Sequence, residues 1–264
     1  MNEGSVWMIS ANDPYKNTQT RTYDREKSIV FLKTKERFGG LSNMAAGFPL
    51  HVNGVGIRTS EALYQACRFP HMPEVQQLII SENSPMTAKM RSKPHRSSSR
   101  SDWDNVRVKI MRWCLRVKLA QNWKEFGDLL IATDDRAIVE QSRKDDFWGA
   151  KPTDEGMLVG MNVLGRLLME LREQLKSEKL DGLQYIEPLR IPEFLLFNQP
   201  IEHVQSVRNA KPIRSASKVI TQKQGTPNSQ GAIQISLFDQ QKAHGPETPT
   251  PASTTDDVED SRKK

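Results

Sequence analysis

FPLHVNGVGIRTSEALYQACRF, residues Phe48 to Phe69, changes its period halfway along, and that change sets the fold class. In the first half apolar residues alternate around Asn53-Gly54, the pair favoured in a two-residue hairpin turn because both central positions need positive φ. From Thr59 the spacing lengthens, and Ser60-Glu61 opens a helix whose apolar face includes Leu63, Ala66 and Cys67. A hairpin running directly into an amphipathic helix predicts a mixed α+β domain.

Outward from this stretch the helical signal grows. SIVFLK reads as a strand upstream, and Met72 to Ile80 as a second helix. Asp102 is placed to cap a long helix in which Trp103, Val106, Ile110, Trp113, Cys114 and Val117 recur at spacings of three and four. At that period Trp103 and Trp113 read as core. A helix with Phe126, Leu129 and Leu130, a short apolar AIVE and a helix from Leu158 to Leu175 complete the pattern. The expected fold is α+β, predominantly α-helical with a small β-sheet.

Composition bounds the rest. The 264 residues suffice for one sizeable domain with extensions. No window approaches a membrane span, and the start lacks a basic segment followed by an apolar run, so a soluble, cytoplasmic protein is expected. Two cysteines, Cys67 and Cys114, sit in helical apolar patterns and predict neither a disulfide framework nor a metal knuckle. The five histidines show no paired ligand spacing, so no metal or other cofactor is expected. The formal net charge is +6, and Lys89 to Lys118 concentrates ten Lys/Arg against two Asp, a cluster suited either to phosphates or to the solvated face of a long helix.

The expected organisation is an N-terminal arm (1–27), a catalytic domain (28–178), an extension packing on it (179–207) and a tail (208–264). One aromatic residue, Phe238, occurs in that tail among abundant Pro, Ser, Thr and Gln, too little apolar area to offset ordering entropy, which predicts disorder.

Several polar residues stand where local structure does not require them. GGLSNMAAGF sets Ser42 and Asn43 after two glycines, in a loop whose amides could approach a phosphate or a sugar. IVEQSRKDDFWGAK packs Glu140, Asp145, Asp146 and Trp148 into nine positions. Carboxylates beside an indole suit a ribose and base pocket, where they can bind hydroxyls, stabilise an oxocarbenium-like transition state or activate water. Asn162 opens an apolar helix, and its side chain needs a partner.

The blocks FGGLSNM, TSEALYQACRF, SPMTAKM, IVEQSRKDDFWG and GMNVLGRLLMELR, in this order over residues 30 to 172, resemble the NADAR family, also called YbiA-like. The resemblance implies an N-glycosidase with a mostly helical α+β fold. Members of the family remove ADP-ribose from guanine bases in nucleic acid, some as antitoxins to a DNA ADP-ribosyltransferase toxin of the DarT type. Others are linked to ribosylated intermediates of riboflavin synthesis. Here the basic insert RSKPHRSSSR and the extended GGLSNMAAGFPL and RFPH resemble the toxin-associated branch. Ala150-Lys151 departs from the family pattern after Trp148-Gly149 and leaves leaving-group specificity open.

The expected reaction is hydrolysis of the bond between ribose C1′ and the guanine amino group in single-stranded or locally opened DNA. Glu61 and Asp145 are the candidate acid/base and charge-stabilising carboxylates. Matching to the family's motif selects Asp145 over Asp146. Lys89 is a candidate nucleophile, if desolvated, or a phosphate ligand. Ser42, Asn43, Arg68, Trp148, Gly149 and Asn162 are the expected substrate-binding set. The alternatives are a metabolic N-glycosidase and a non-catalytic module that binds ADP-ribose or a cognate toxin. In the tail, QISLF resembles the short motif with which bacterial polymerases and repair proteins dock on the sliding clamp, Gln234 supplying polar contacts and Leu237 and Phe238 filling an apolar pocket.

Overall fold

In the computed structural model, which describes residues 19–177 and 181–206, the opening stretch forms the predicted hairpin and helix. Strand β1 (Arg21–Asp24) precedes β2 (Ile29–Phe31), and the hairpin is β3 (Leu50–Val52) with β4 (Val55–Ile57), joined by Asn53 and Gly54 at φ of 50° and 75°. Helix α1 (Ser60–Ala66) starts where Thr59 accepts a hydrogen bond from the Ala62 amide, a side-chain cap. Then follow α2 (Pro73–Ile80), α3 (Pro85–Ser92), a 3-10 turn over Lys93–Ser98, α4 (Trp103–Gln121) and α5 (Trp123–Ile131). Strands β5 (Ile138–Glu140), β6 (Lys151–Pro152) and β7 (Met157–Gly160) lead into α6 (Val163–Lys176). The fold is α+β, with seven α-helices and small sheets among the described residues.

Helix α4 is the spine. Its buried stripe, Val106, Ile110, Trp113, Cys114 and Val117, joins one apolar core with Leu63 and Ala66 of α1, Phe126 and Leu130 of α5 and Leu164, Leu167, Leu168 and Leu171 of α6. Asp102 precedes it without capping. Its carboxylate is drawn to Arg100, at 2.5 and 3.1 Å, rather than to the first free amides of α4.

Two boundaries differ from expectation. Arg21–Asp24, assigned to the N-terminal arm, forms β1 and pairs antiparallel with β7, which also pairs with β6. Leu158, expected in the last helix, lies in that β7 strand. Asn162 adopts a left-handed conformation, φ 49°, and so separates strand from helix within a continuously apolar stretch. The other pairing that shapes the site is parallel: β2 runs beside β5 with Phe31 opposite Glu140.

After α6, α7 (Asp181–Gln184), β8 (Tyr185–Ile186), β9 (Leu195–Leu196), β10 (Gln199–Pro200) and β11 (Val204–Gln205) form two short antiparallel pairs. This segment lies on α4, where Trp113 donates to the Glu187 carbonyl at 3.0 Å and meets Phe194 edge-on. Gln234, Leu237 and Phe238 lie outside the described residues. Among the described residues no helix is long and apolar enough to cross a membrane, and no group of three or more His, Cys, Asp or Glu could hold a metal ion.

Candidate active site

Elements distant in sequence converge on a cavity of about 660 Å³, lined by the Ser42–Asn43 loop, α1, Lys89 of α3, the N-terminal half of α4 and the Glu140–Trp148 segment. Of the expected site residues, Ser42, Asn43, Glu61, Arg68, Lys89, Asp145 and Trp148 line it. Gly149 and Asn162 do not, and their contacts show why.

Asn162 is fully buried and addresses backbone, not ligand. Its Oδ1 accepts from the Glu140 amide at 3.1 Å and its Nδ2 donates to the Ile138 carbonyl at 2.8 Å. It thereby fixes the end of β5 and aims Glu140. Gly149 sits so close to β5 that a Cβ would lie 2.4 Å from the Glu140 carbonyl oxygen, so it permits strand contact. Ala150, fully buried, donates its amide to that same carbonyl, while Lys151 pairs with Asp146 at 2.6 Å.

Three carboxylates share the cavity, and their surroundings differ. Glu61 is buried in the first turn of α1, accepting at Oε1 from Gln65 Nε2 at 2.9 Å, with the Lys89 ammonium 4.0 Å away. Asp145 is exposed, and its Oδ1 closes a turn by accepting from the amides of Phe147 and Trp148 at 3.0 and 2.9 Å. Glu140 has no such fixed donors. Burial, then the Glu61 and Asp145 charges, push its carboxyl up to about 7, against an opposing pull from Lys89. A carboxyl poised near neutrality has the chemistry to give up or take a proton near pH 7. Glu140 stands in the acidic stretch, but by sequence Glu61 and Asp145 together are the candidate acid/base and charge-stabilising carboxylates. The missed signal is the place of Glu140 one residue beyond the apolar Ile138-Val139 pair, at a strand end.

Lys89 is 45% exposed at its side chain, so the desolvation an amine nucleophile requires is missing. Aromatic rings form one wall: Trp148 meets Tyr64 edge-on at 5.7 Å and Phe147 at 5.0 Å, while Tyr64 contacts Trp103 at 5.1 Å. Trp103 is both core and cavity wall. Burial and the Glu61 charge push the Tyr64 phenol well above its ordinary range.

The glycine loop works differently from expectation. The amides of Gly39, Leu41 and Ser42 bond within the chain, to the carbonyls of Glu36, Phe38 and Gly39, so these three are not offered to an anion. Asn43 instead braces α1: its carbonyl accepts from the Glu61 amide at 3.1 Å and from Ser60 Oγ, and its Nδ2 contacts Met111 sulfur. The loop is held from beneath by Lys118. That lysine is fully buried, donates to the carbonyls of Gly40 and Ser42 at 2.6 and 3.0 Å, and lies over Phe48 and Phe126. Burial pulls its ammonium from 10.5 to about 7.

A lysine so depressed holds fewer protons in the folded than in the unfolded state between those values, so stability should rise as pH climbs from 7 towards 10.5. Lys118→Met should flatten that rise in denaturant titrations. It should also loosen the Glu61 mount and lower kcat, because the Gly40 carbonyl loses its donor, at a cost of about 1–3 kcal/mol.

Comparison with known proteins follows the same residues. The NADAR domain model matches residues 30–176. N-glycosidase YbiA of Escherichia coli (strain K12) is 38% identical over 151 residues, covering 57% of this chain and 90% of that protein. N-glycosidase Npun_R5314 of Nostoc punctiforme is 29% identical, covering 57% of this chain and 94% of its own length. Riboflavin biosynthesis protein VVA0006 of Vibrio vulnificus is 33% identical across 63% of this chain, but only 44% of its own length is matched. The NMR structure of E. coli YbiA superposes with a TM-score of 0.51 at 36% identity, covering 60% of this chain and 89% of that one.

Proposed function

Because the chain belongs to the NADAR domain family and is by that kinship a hydrolase of N-glycosidic bonds, we propose that it removes ADP-ribose from ADP-ribosylated guanine bases in DNA, reversing a DNA-modifying toxin. The observation that carries this reading is the shared cavity: a near-neutral Glu140, a Glu61 carboxylate beside Lys89, an indole wall and arginine side chains. These parts match a bond between a phosphorylated sugar and a heterocyclic amine.

In this mechanism Glu140 gives its proton to the departing guanine nitrogen as the C1′–N bond breaks and its electron pair moves to nitrogen. Glu61 faces the positive charge that develops on the sugar. Water adds its hydroxyl to C1′ and yields its proton to a carboxylate. Trp148 stacks on a ring, and Lys89 holds Glu61 in place. Borohydride added during turnover should leave no adduct on Lys89; trapping there would replace this scheme with a Schiff-base route.

The basic insert favours a polyanionic substrate, whereas the riboflavin-pathway name of the Vibrio relative favours a ribosylated pyrimidine for the same machinery. Incubation with a guanine-ADP-ribosylated oligonucleotide should release free ADP-ribose. No release, with hydrolysis of a ribosylaminopyrimidine instead, would overturn the DNA reading. The tail is proposed to dock on the sliding clamp. Leu237→Ala with Phe238→Ala should abolish clamp binding and leave hydrolysis of short oligonucleotides unchanged, and clamp binding by that variant equal to the parent's would remove the idea.

A further inference from the structure

Arginines form a second chemical zone in the cavity, and most of their charge is unanswered by protein. Arg68, Arg96 and Arg107 all line it. Arg68, seven residues beyond Glu61, donates from Nε to Ser99 Oγ at 2.6 Å and stacks its guanidinium 4.8 Å over Trp103. Both contacts orient the group and neither neutralises it. Among the described residues, neither Arg68 nor Arg96 forms an ion pair.

Arg107 lies 4.0 Å over Phe147, and its Nε is buried without a hydrogen-bond partner. The nearest carboxylate, Asp104, is 3.6 Å from that Nε and 85% exposed, so its charge is largely spent on water. The field of its neighbours reaches Arg68. Burial lowers the Arg68 pKa, Arg96 and Arg107 act in the same direction, and Tyr64 and Asp104 oppose them. Arg100, by contrast, is committed to Asp102 and to the carbonyls of Pro192 and Glu193.

Like charges gathered in a concave site, with a donor left idle, call for an anion of more than one charge that accepts several hydrogen bonds. The carboxylate zone makes the opposite demand: Gln65 gives Nε2 to Glu61 and leaves its buried Oε1 without a donor. We infer that Arg68, Arg96 and Arg107 seat a phosphoryl group of the substrate, so that the ligand lies with its phosphate on the arginines and its sugar hydroxyls towards Glu61 and Gln65. This deepens, and rests on, the reading of the cavity as a ribosyl site. The phosphoryl group belongs either to the sugar nucleotide itself or to the nucleic-acid backbone, and the two sources separate experimentally.

The test is equilibrium binding by the full chain, in the absence of turnover, to two probes: ADP-ribose and an unmodified single-stranded oligonucleotide. Arg68→Gln and Arg107→Gln should each weaken at least one probe by about tenfold or more, the loss of one charge-assisted hydrogen bond. Arg136→Gln, whose parent arginine pairs with Asp134 at 3.5 Å and lies outside both the basic insert and the cavity lining, should bind as the parent does. Arg68→Lys, which keeps the charge, should recover part of the loss and guards against a merely misfolded Gln variant.

Loss for ADP-ribose alone assigns the seat to the ligand's own phosphate, and loss for the oligonucleotide alone to the backbone. Parental affinity of both Gln variants for both probes overturns the inference. If the parent protein releases no ADP-ribose from modified DNA while the Gln variants still weaken binding, the DNA substrate fails and the phosphoryl seat stands.

Discussion

Glu140→Gln lowers kcat by about 10²–10⁴, the range that a positioned general acid supplies, while the protein stays folded. The amide keeps the size of the acid and carries no transferable proton. In the parent, activity that needs protonated Glu140 is present below about pH 7 and declines as pH rises through that value, where burial and the neighbouring acids place the carboxyl. The residual activity of the variant should lack that limb.

The substitution acts on stability in the opposite sense to its effect on kcat. The folded carboxyl holds its proton to about 7 against an ordinary 4.5, so between those values the folded state binds more protons than the unfolded one and loses stability as pH rises. Glu140→Gln escapes that loss. Above pH 7 it should be the more stable protein, by no more than about 3 kcal/mol from the size of the shift. Denaturant titration at pH 5 and pH 8 separates the outcomes: a variant less stable at both would make Glu140 a structural residue.

What the sequence discloses here depends on how local each cause is. The hairpin was legible because Asn53 and Gly54 both adopt positive φ, which few other residue pairs allow. The start of α1 was legible because the Thr59 cap lies three residues from its donor. Strand β1 was not, since only Tyr23 of its four residues is buried and its partner lies more than 130 residues on. Leu158 was drawn into the helix by its apolar neighbours because nothing local announces the left-handed Asn162.

At the site the same division holds. Asp145 is singled out in the sequence by its match to the family's motif, and its turn-closing bonds to Phe147 and Trp148 emerge only in three dimensions. The environment of Glu140 depends on Glu61 and Lys89, both supplied by other elements. Lys118 was partly legible. It continues the Ile110 and Cys114 register of α4 at steps of four, so it lies on the buried face, where a lysine needs carbonyl partners.

Glu61→Gln tests whether the two carboxylates work as a pair. It should reduce kcat by about 10²–10³, the scale of one lost electrostatic contact to a developing charge. It should also move the pH limb that belongs to Glu140. The Glu61 charge raises the Glu140 carboxyl and Lys89 lowers it, so removing the first should shift the alkaline decline to lower pH. Lys89→Met should shift the decline to higher pH, since one opposing positive charge disappears while Glu61 and Asp145 remain. Opposite displacements from two residues on different helices are the signature of a shared field at Glu140, because simple loosening of the site would lower the rate without moving the limb in opposite senses. Log kcat measured against pH from 5 to 9 for the parent and both variants decides the matter. Limbs that coincide would separate Glu61 from the proton transfer and leave it as a sugar-binding group alone.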